Sequence, residues 1–242
     1  MKLFLALLSP LLLACSAHAD LNGDFQSRAR SELIKPFARD LGGLLGAASA
    51  DPGWRLGFPG FSAGALGALQ VRPDKDDLIL RDSGVGAFGV PLLEAAIGLP
   101  KGLALVAHGI SYSGASILGG GLRYNVLKAP VVGGLLPTLG VGLFGDRVHA
   151  GAFSGQHYAL NAAVGWKLPL LAPFIDAGLD LTRVRADAAD AAGVSGQSAW
   201  AQGSRLGAGL ELTPLPFLRL RAAYQLIHGI GGMTLGLLAV FG

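Results

Sequence analysis

Apolar and polar residues alternate with a period of two along much of this chain. The clearest stretch is 156–168. Tyr158, Leu160, Ala162, Val164, Trp166 and Leu168 share one face, and His157, Asn161 and Lys167 lie on the other with small residues between them. Such alternation marks a strand with one apolar and one polar face. At about 3.3 Å per residue, Tyr158 and Trp166 stand roughly 26 Å apart, which strand tilt brings near the height of a lipid-facing band between two aromatic girdles. Tyr124 and Tyr224 fall on the apolar faces of two further alternating segments and join them as girdle candidates.

The pattern predicts strands at 58–71, 90–99, 103–112, 117–128, 137–148, 156–168, 173–185, 204–213, 217–228 and 232–241. Each is close to the length of about 9–11 residues that a tilted membrane strand needs. The connections at 99–102, 128–136, 169–172 and 213–216 all contain Pro, which ends strands. Those at 72–89 and 186–203 are the longest and most polar. Long and short connections alternate, as they do in an outer-membrane barrel with short periplasmic turns and longer outside loops. The predicted fold is all-β: a transmembrane, antiparallel, up-and-down β-barrel of about ten strands, occupying residues 58–242.

Residues 20–57 do not read as strand. Leu33, Phe37, Leu41 and Leu45 recur every four residues, and Pro36 suits the first turn of a helix. That short N-terminal helix has three possible places: the periplasm, the membrane surface, or the barrel interior. Before it, Met1-Lys2, the apolar run from Leu3 to Ala14 and Ala17-His18-Ala19 form the pattern of a secretory signal peptide, residues 1–19, cleaved after Ala19. The sole cysteine, Cys15, lies inside it, so the mature chain has neither disulfide nor thiolate chemistry. Leu12-Leu13-Ala14-Cys15 also resembles a lipoprotein processing site, a poorer fit at Leu13.

Composition narrows the class. The chain is 51% hydrophobic and 14% charged, with mean hydropathy +0.50, which excludes disorder. A polytopic helical protein needs uninterrupted runs of about 20 apolar residues. Here Glu94, Arg123, Pro137, Lys167, Asp176 and Glu211 break them. The 38 glycines follow no collagen period. A net charge of +3 is too small a bias for nucleic-acid binding.

The polar faces place Glu94, Asp176, Asp180 and Glu211 in the lumen against Arg123, Lys167, Arg205, Arg219 and Arg221, with His157, Asn161 and Gln225. They make either a polar path for a small solute or an ion-paired plug, because opposite charges in a narrow barrel pair. Gly and Ala at many lumen positions leave space for the path. Arg219 and Arg221, on one strand face, are the anion-attracting candidates, and Glu211 on the next strand is their pairing alternative. For catalysis the nearest set is His157 with Asp180 or Asp187, without a serine two residues from a histidine on one strand; His149 and His228 read as solvated at the outer rim. The chain therefore reads as a non-enzyme. No cysteine or paired histidine offers metal ligands, and no Lys-Ser/Thr follows the glycine clusters, so no metal or other cofactor is expected.

Leu33-Ile34-Lys35-Pro36-Phe37 with the following glycines, Leu56-Gly57-Phe58, Val71 with Pro73-Asp74, Val90-Pro91, Gly98-Leu99-Pro100-Lys101-Gly102-Leu103 and Gly119-Gly120-Gly121-Leu122-Arg123-Tyr124 occur in this order. The series resembles a poorly characterised family of small Gram-negative outer-membrane β-barrel proteins. Arg72 separates Val71 from Pro73, where that family joins them. The resemblance implies a membrane barrel and supplies no activity. The expected location is the outer membrane of a Gram-negative bacterium, after secretion to the periplasm. The expected partners are outer-membrane lipid, the barrel-assembly machinery reading a C-terminal strand with Phe241 penultimate, and a small-molecule ligand, apolar ones included. The expected role is structural, or passive passage or binding of that ligand. A periplasmic or surface lipid-binding barrel is the alternative, and an outer-membrane hydrolase a more distant one.

Overall fold

The computed structural model describes residues 20–51, 56–112, 114–127, 136–187 and 193–242. The signal-peptide reading and most of the connection at 128–136 lie outside the described residues. The strands are β1 (Gly60–Gln70), β2 (Phe88–Gly98), β3 (Leu103–Tyr112), β4 (Ala115–Leu127), β5 (Thr138–Ala150), β6 (Phe153–Gly165), β7 (Leu171–Ala186), β8 (Ser198–Leu215), β9 (Leu218–Ile227) and β10 (Ile230–Phe241). Each pairs antiparallel with its sequence neighbour, and β1 pairs with β10 to close the barrel. Closure leaves no strand at a free sheet edge, although the β2–β3 ladder is confined to residues 93–98 and 104–109.

The alternation sorts as the pattern requires. Along β6, His157, Ala159, Asn161 and Ala163 are buried, while Tyr158, Leu160 and Ala162 are exposed. The outward face is apolar from strand to strand: Leu93, Leu118, Leu143, Ile175, Leu179, Leu206 and Leu210 all point away from the lumen. At the closing seam Phe61 and Phe241 are register partners with stacked rings 4.9 Å apart.

The two ends of the barrel differ. The chain enters β1 and leaves β10 at one end, which also carries the short β2–β3, β6–β7 and β8–β9 turns and is called the turn end here. The opposite, loop end carries the β1–β2 and β7–β8 connections.

The N-terminal residues fill the barrel. Helix α1 (Leu21–Arg28) is capped by Asp20, whose Oδ1 accepts from Gly23 N at 3.0 Å. Helix α2 (Ile34–Ser49) follows, and every residue from Asp40 to Ala50 is buried. At about 1.5 Å per residue it is roughly 24 Å long, enough to run the depth of the wall. Its loop-end half meets Gln70 through Asp40, and its last residue meets Asn161 through Ser49. The helix therefore occupies the lumen, the third of the three places left open by its sequence. Helix α1 caps the loop end, where Phe25 joins Phe37 and Phe153 with ring centroids 4.9–5.1 Å apart. Helix α3 (Leu78–Arg81), in the β1–β2 connection, adds buried Ile79 and Leu80 to the same cluster.

Glycine makes the fit possible. A Cβ at Gly42 would collide with Thr182, and one at Gly46 with Asp180 and Arg205. The helix backbone thus sits directly against the side chains of β7 and β8.

Candidate functional site

The lumen is a continuous polar network shared by wall and helix. At the turn end, Arg123 of β4 donates to both oxygens of Glu94 on β2, at 3.0 and 2.7 Å. Arg221 of β9 donates to Glu211 at 3.2 Å, and Arg219 lies 3.7 Å from the same carboxylate. Between these pairs comes Asp51, just after α2. Its Oδ2 is 3.0 Å from Arg221 Nη2 and 3.3 Å from Arg123 Nη1. Arg221 also donates to the Ala50 carbonyl at 3.1 Å. The plug is held here by two wall arginines, each already paired with a wall carboxylate.

Further in, Arg205 of β8 donates to Asp180 Oδ2 at 2.7 Å and to Asn161 Oδ1 at 2.7 Å. Asn161 in turn donates to Ser49 Oγ of the helix at 3.1 Å. His157 lies with Nδ1 2.7 Å from Asp146 and Nε2 3.1 Å from Asp180. His108 of β3 bonds the other Asp146 oxygen. Gln225 donates to Asp176 at 3.1 and 3.3 Å. An ion buried without such partners would cost several kcal/mol, so mutual pairing is what keeps these charges in a narrow lumen.

At the loop end Asp40 of α2 accepts from Gln70 at 3.0 Å and from Asp74 N at 2.7 Å. Arg39 lies 2.6 Å from Asp74. Asp77 caps α3, accepting from Leu80 N at 3.3 Å, and Asp40 is its neighbouring charge. Burial, and then the neighbouring Asp40, push Asp77 up to about 8.

Most lumen candidates lie in the lumen: Glu94, Arg123, Asn161, Asp176, Asp180, Arg205, Glu211, Arg219, Arg221 and Gln225. Lys167 does not. β6 ends at Gly165, and Lys167 is exposed in the following turn. Trp166 has left the strand with it, half-buried at the turn end, its N–H donating to Pro173. Beyond Gly165 the hairpin continues only through single bonds, from Trp166 N to the Pro173 carbonyl and from Leu168 N to that of Leu171, because Pro173 has no N–H to return. Tyr158, Tyr124 and Tyr224 are all exposed on the outer wall. His149 is exposed, but His228 is held against the plug, with Nε2 2.8 Å from the Arg39 carbonyl. The solvated reading of His228 is corrected by that contact; its burial lowers the pKa of the ring.

Sequence reasoning missed His108, Asp146, Asp40 and Asp51. Asp146 had a signal, since it lies opposite in phase to Leu143 and Arg147 on a predicted strand. The helix residues had none, because their partners depend on the helix being inside.

The space that small lumen residues leave is occupied. Helix α2 fills most of it, and large polar side chains fill more: Arg205 and Asn161 lie against Gly178, and Asp176 and Gln225 against Gly207. Among the described residues a cavity of about 40 Å³, lined by Asp51, Asn161, Arg123, Arg219 and Arg221, lies near the turn end. That is room for a few water molecules, not for a solute in transit. Both nitrogens of His157 face carboxylates, so neither is left to take a proton from a nucleophile. Among the described residues no group of His, Cys, Asp and Glu has the arrangement of a metal site.

No family model matches the chain, and no curated protein sequence matches it. Solved structures similar to it include natural and de novo designed β-barrels. The N-terminal β-barrel domain of Pseudomonas aeruginosa OprF is 16% identical, with 76% of this chain and 96% of that one covered at a TM-score of 0.39. An outer membrane channel from Pseudomonas putida F1 is 12% identical, with 80% and 100% covered at 0.47. Neisserial surface protein A is 14% identical, with 75% and 95% covered at 0.31.

Proposed function

We propose that this chain is an integral outer-membrane β-barrel that its own N-terminal helix keeps closed. The observation that carries the reading is the inversion of polarity across the wall. Apolar side chains face outward around the closed ladder, and the charged residues of the wall interior are paired with one another and with the plug. A lipid carrier needs the opposite arrangement, an apolar cavity inside a polar exterior. The loop end then faces outward, because longer connections of such barrels are extracellular. The plug is the gate. Passage of any solute requires α2 to leave its contacts with Arg221, Arg123 and Asn161.

Two measurements test this. The membrane-bound protein should resist carbonate and salt and require detergent for release; release without detergent would sink the barrel reading. Reconstituted in planar bilayers, the wild-type chain should be electrically silent, whereas Asp40→Ala combined with Asp51→Ala should produce open events. Steady conductance in the wild type would overturn the closed-barrel reading.

A further inference from the structure

The outward face of the wall carries an asymmetry of charge that closing the lumen does not explain. Among the described strand residues, every carboxylate points inward: Glu94, Asp146, Asp176, Asp180 and Glu211 are all buried. The outward basic side chains are Arg147 and His149 on β5 and Arg183 and Arg185 on β7. All four belong to the loop-end quarter of β5 and β7, the two strands that flank β6. Elsewhere around this rim the outward positions are uncharged, as at Tyr112, Leu226 and Met233.

Register brings the four together. Arg147 pairs with Gln156, which pairs with Arg183, which pairs with Trp200. One step further out, His149 pairs with Ser154, Ser154 with Arg185, and Arg185 with Ser198. Arg147 and Arg183 thus flank Gln156 from two strands, about 10 Å apart at the usual strand spacing. Each strand changes character at this level. β7 runs outward through Leu179 and Leu181 to Arg183 and Arg185, and β6 through Leu160 and Tyr158 to Gln156. This is where a lipid-facing wall passes from acyl chains to headgroups.

The side chains are set for an anion. Arg183 is oriented, donating to Ser198 Oγ at 3.1 Å and lying 5.9 Å from the Trp200 ring centre. Trp200 is an amphipathic residue of the kind that sits at the membrane boundary. Among the described residues only Arg185 of the four is paired, with Asp187 3.6 Å away on an exposed loop. Guanidinium groups bind phosphate oxygens through paired hydrogen bonds, and two of them a strand apart can hold one headgroup from both sides.

We propose that Arg147, His149, Arg183 and Arg185 form a docking surface for the phosphate-bearing headgroup of an outer-leaflet lipid. The inference rests on the membrane reading above, with the loop end outward. Trp200 and the Leu181 wall below it receive the acyl chains, and the arginines receive the phosphate.

The test uses full-length protein in uncharged detergent, titrated with bisphosphorylated lipid A and, separately, with its dephosphorylated form, and followed by native mass spectrometry. The wild type should retain the phosphorylated lipid preferentially, and less so as salt rises. With about 1 kcal/mol per surface arginine, Arg147→Gln plus Arg183→Gln should weaken retention on the order of thirtyfold and leave the dephosphorylated form unaffected. A heat-modifiable gel shift checks that the variant still folds; if it does not, Arg147→Gln alone and the wild-type salt dependence serve in its place. Equal retention of both lipids by the wild type would overturn the proposal, as would unchanged retention by a folded variant. So would saturation of the site by inorganic phosphate, which would assign it to a free anion. Carbonate extraction is independent of all these arms, so failure of the membrane reading and failure of the lipid site remain distinguishable.

Discussion

Asp40 of the plug helix and Asp77 of the β1–β2 connection are fully buried neighbours whose like charges oppose each other. Burial, with the charge of Asp40 beside it, pushes Asp77 up to about 8, so this carboxyl holds a proton near neutral pH. Gln70, Asp74 and Arg39 surround the pair.

That proton makes the loop-end attachment sensitive to pH. Asp77 is raised in the folded chain to about 8, above its ordinary 3.8. The folded state therefore binds more protons than the unfolded one between these values, and its stability falls as pH rises through the window. The contribution is complete below about pH 4 and lost by about pH 8. Cleavage of the connection by trypsin at Lys75 or Arg81 should accelerate as pH moves from 6 to 8.5, after correction for the enzyme's own pH profile. Asp77→Asn removes the titrating group at nearly the same size and should flatten that rise. An unchanged slope in the variant would refute the assignment.

Arg205 should be the most costly wall residue to lose. It is fully buried, and Asp180 and Asn161 both depend on it. Arg205→Met leaves Asp180 with His157 as its remaining charged neighbour and should destabilise the barrel by about 3–5 kcal/mol. Urea unfolding of protein in detergent, followed by the gel shift, measures it. Adding Asp180→Asn should recover part of the loss, because no carboxylate is then buried short of a partner.

Gly46 is one of the positions where the helix backbone lies directly against wall side chains. Gly46→Val places two methyl groups where Asp180 and Arg205 sit. The barrel ladder is untouched, so the strands should still form. The helix should lose its seat, and bilayer recordings should show conductance that the wild type lacks. Gly57→Val meets nothing within 4 Å and is the control.

Much of this architecture is legible before any coordinates. The period-two pattern places β3 at 103–112, its actual bounds, because β-strands sort side chains locally and each residue votes on the face independently. The end of β6 is less legible, since the ladder weakens there opposite Pro173 on β7, a partner that alternation along β6 does not encode. The helix is legible as a helix, but its place is not. Leu33, Phe37, Leu41 and Leu45 suggest a single apolar stripe, yet Gly42, Gly43, Gly46 and Ala47 on other sides are buried as fully. A helix of small residues surrounded by wall leaves no polar face to read. For the same reason Asp40 and Asp51 gave no sign of their partners on β1, β4 and β9.

The plug also imposes an order on assembly. Asp20 lies at the loop end while β1 begins at the turn end, so the polypeptide passes once through the ring that its own later residues build. The final zipping of β1 to β10, where Phe61 meets Phe241, encloses that segment. Either the helix is drawn in before the seam shuts, or the finished ring must admit it end-on. In both cases the two ends of the described chain emerge at opposite ends of the barrel, and in the proposed orientation an epitope attached ahead of Asp20 should be accessible from outside the cell and one attached after Gly242 only from the periplasm.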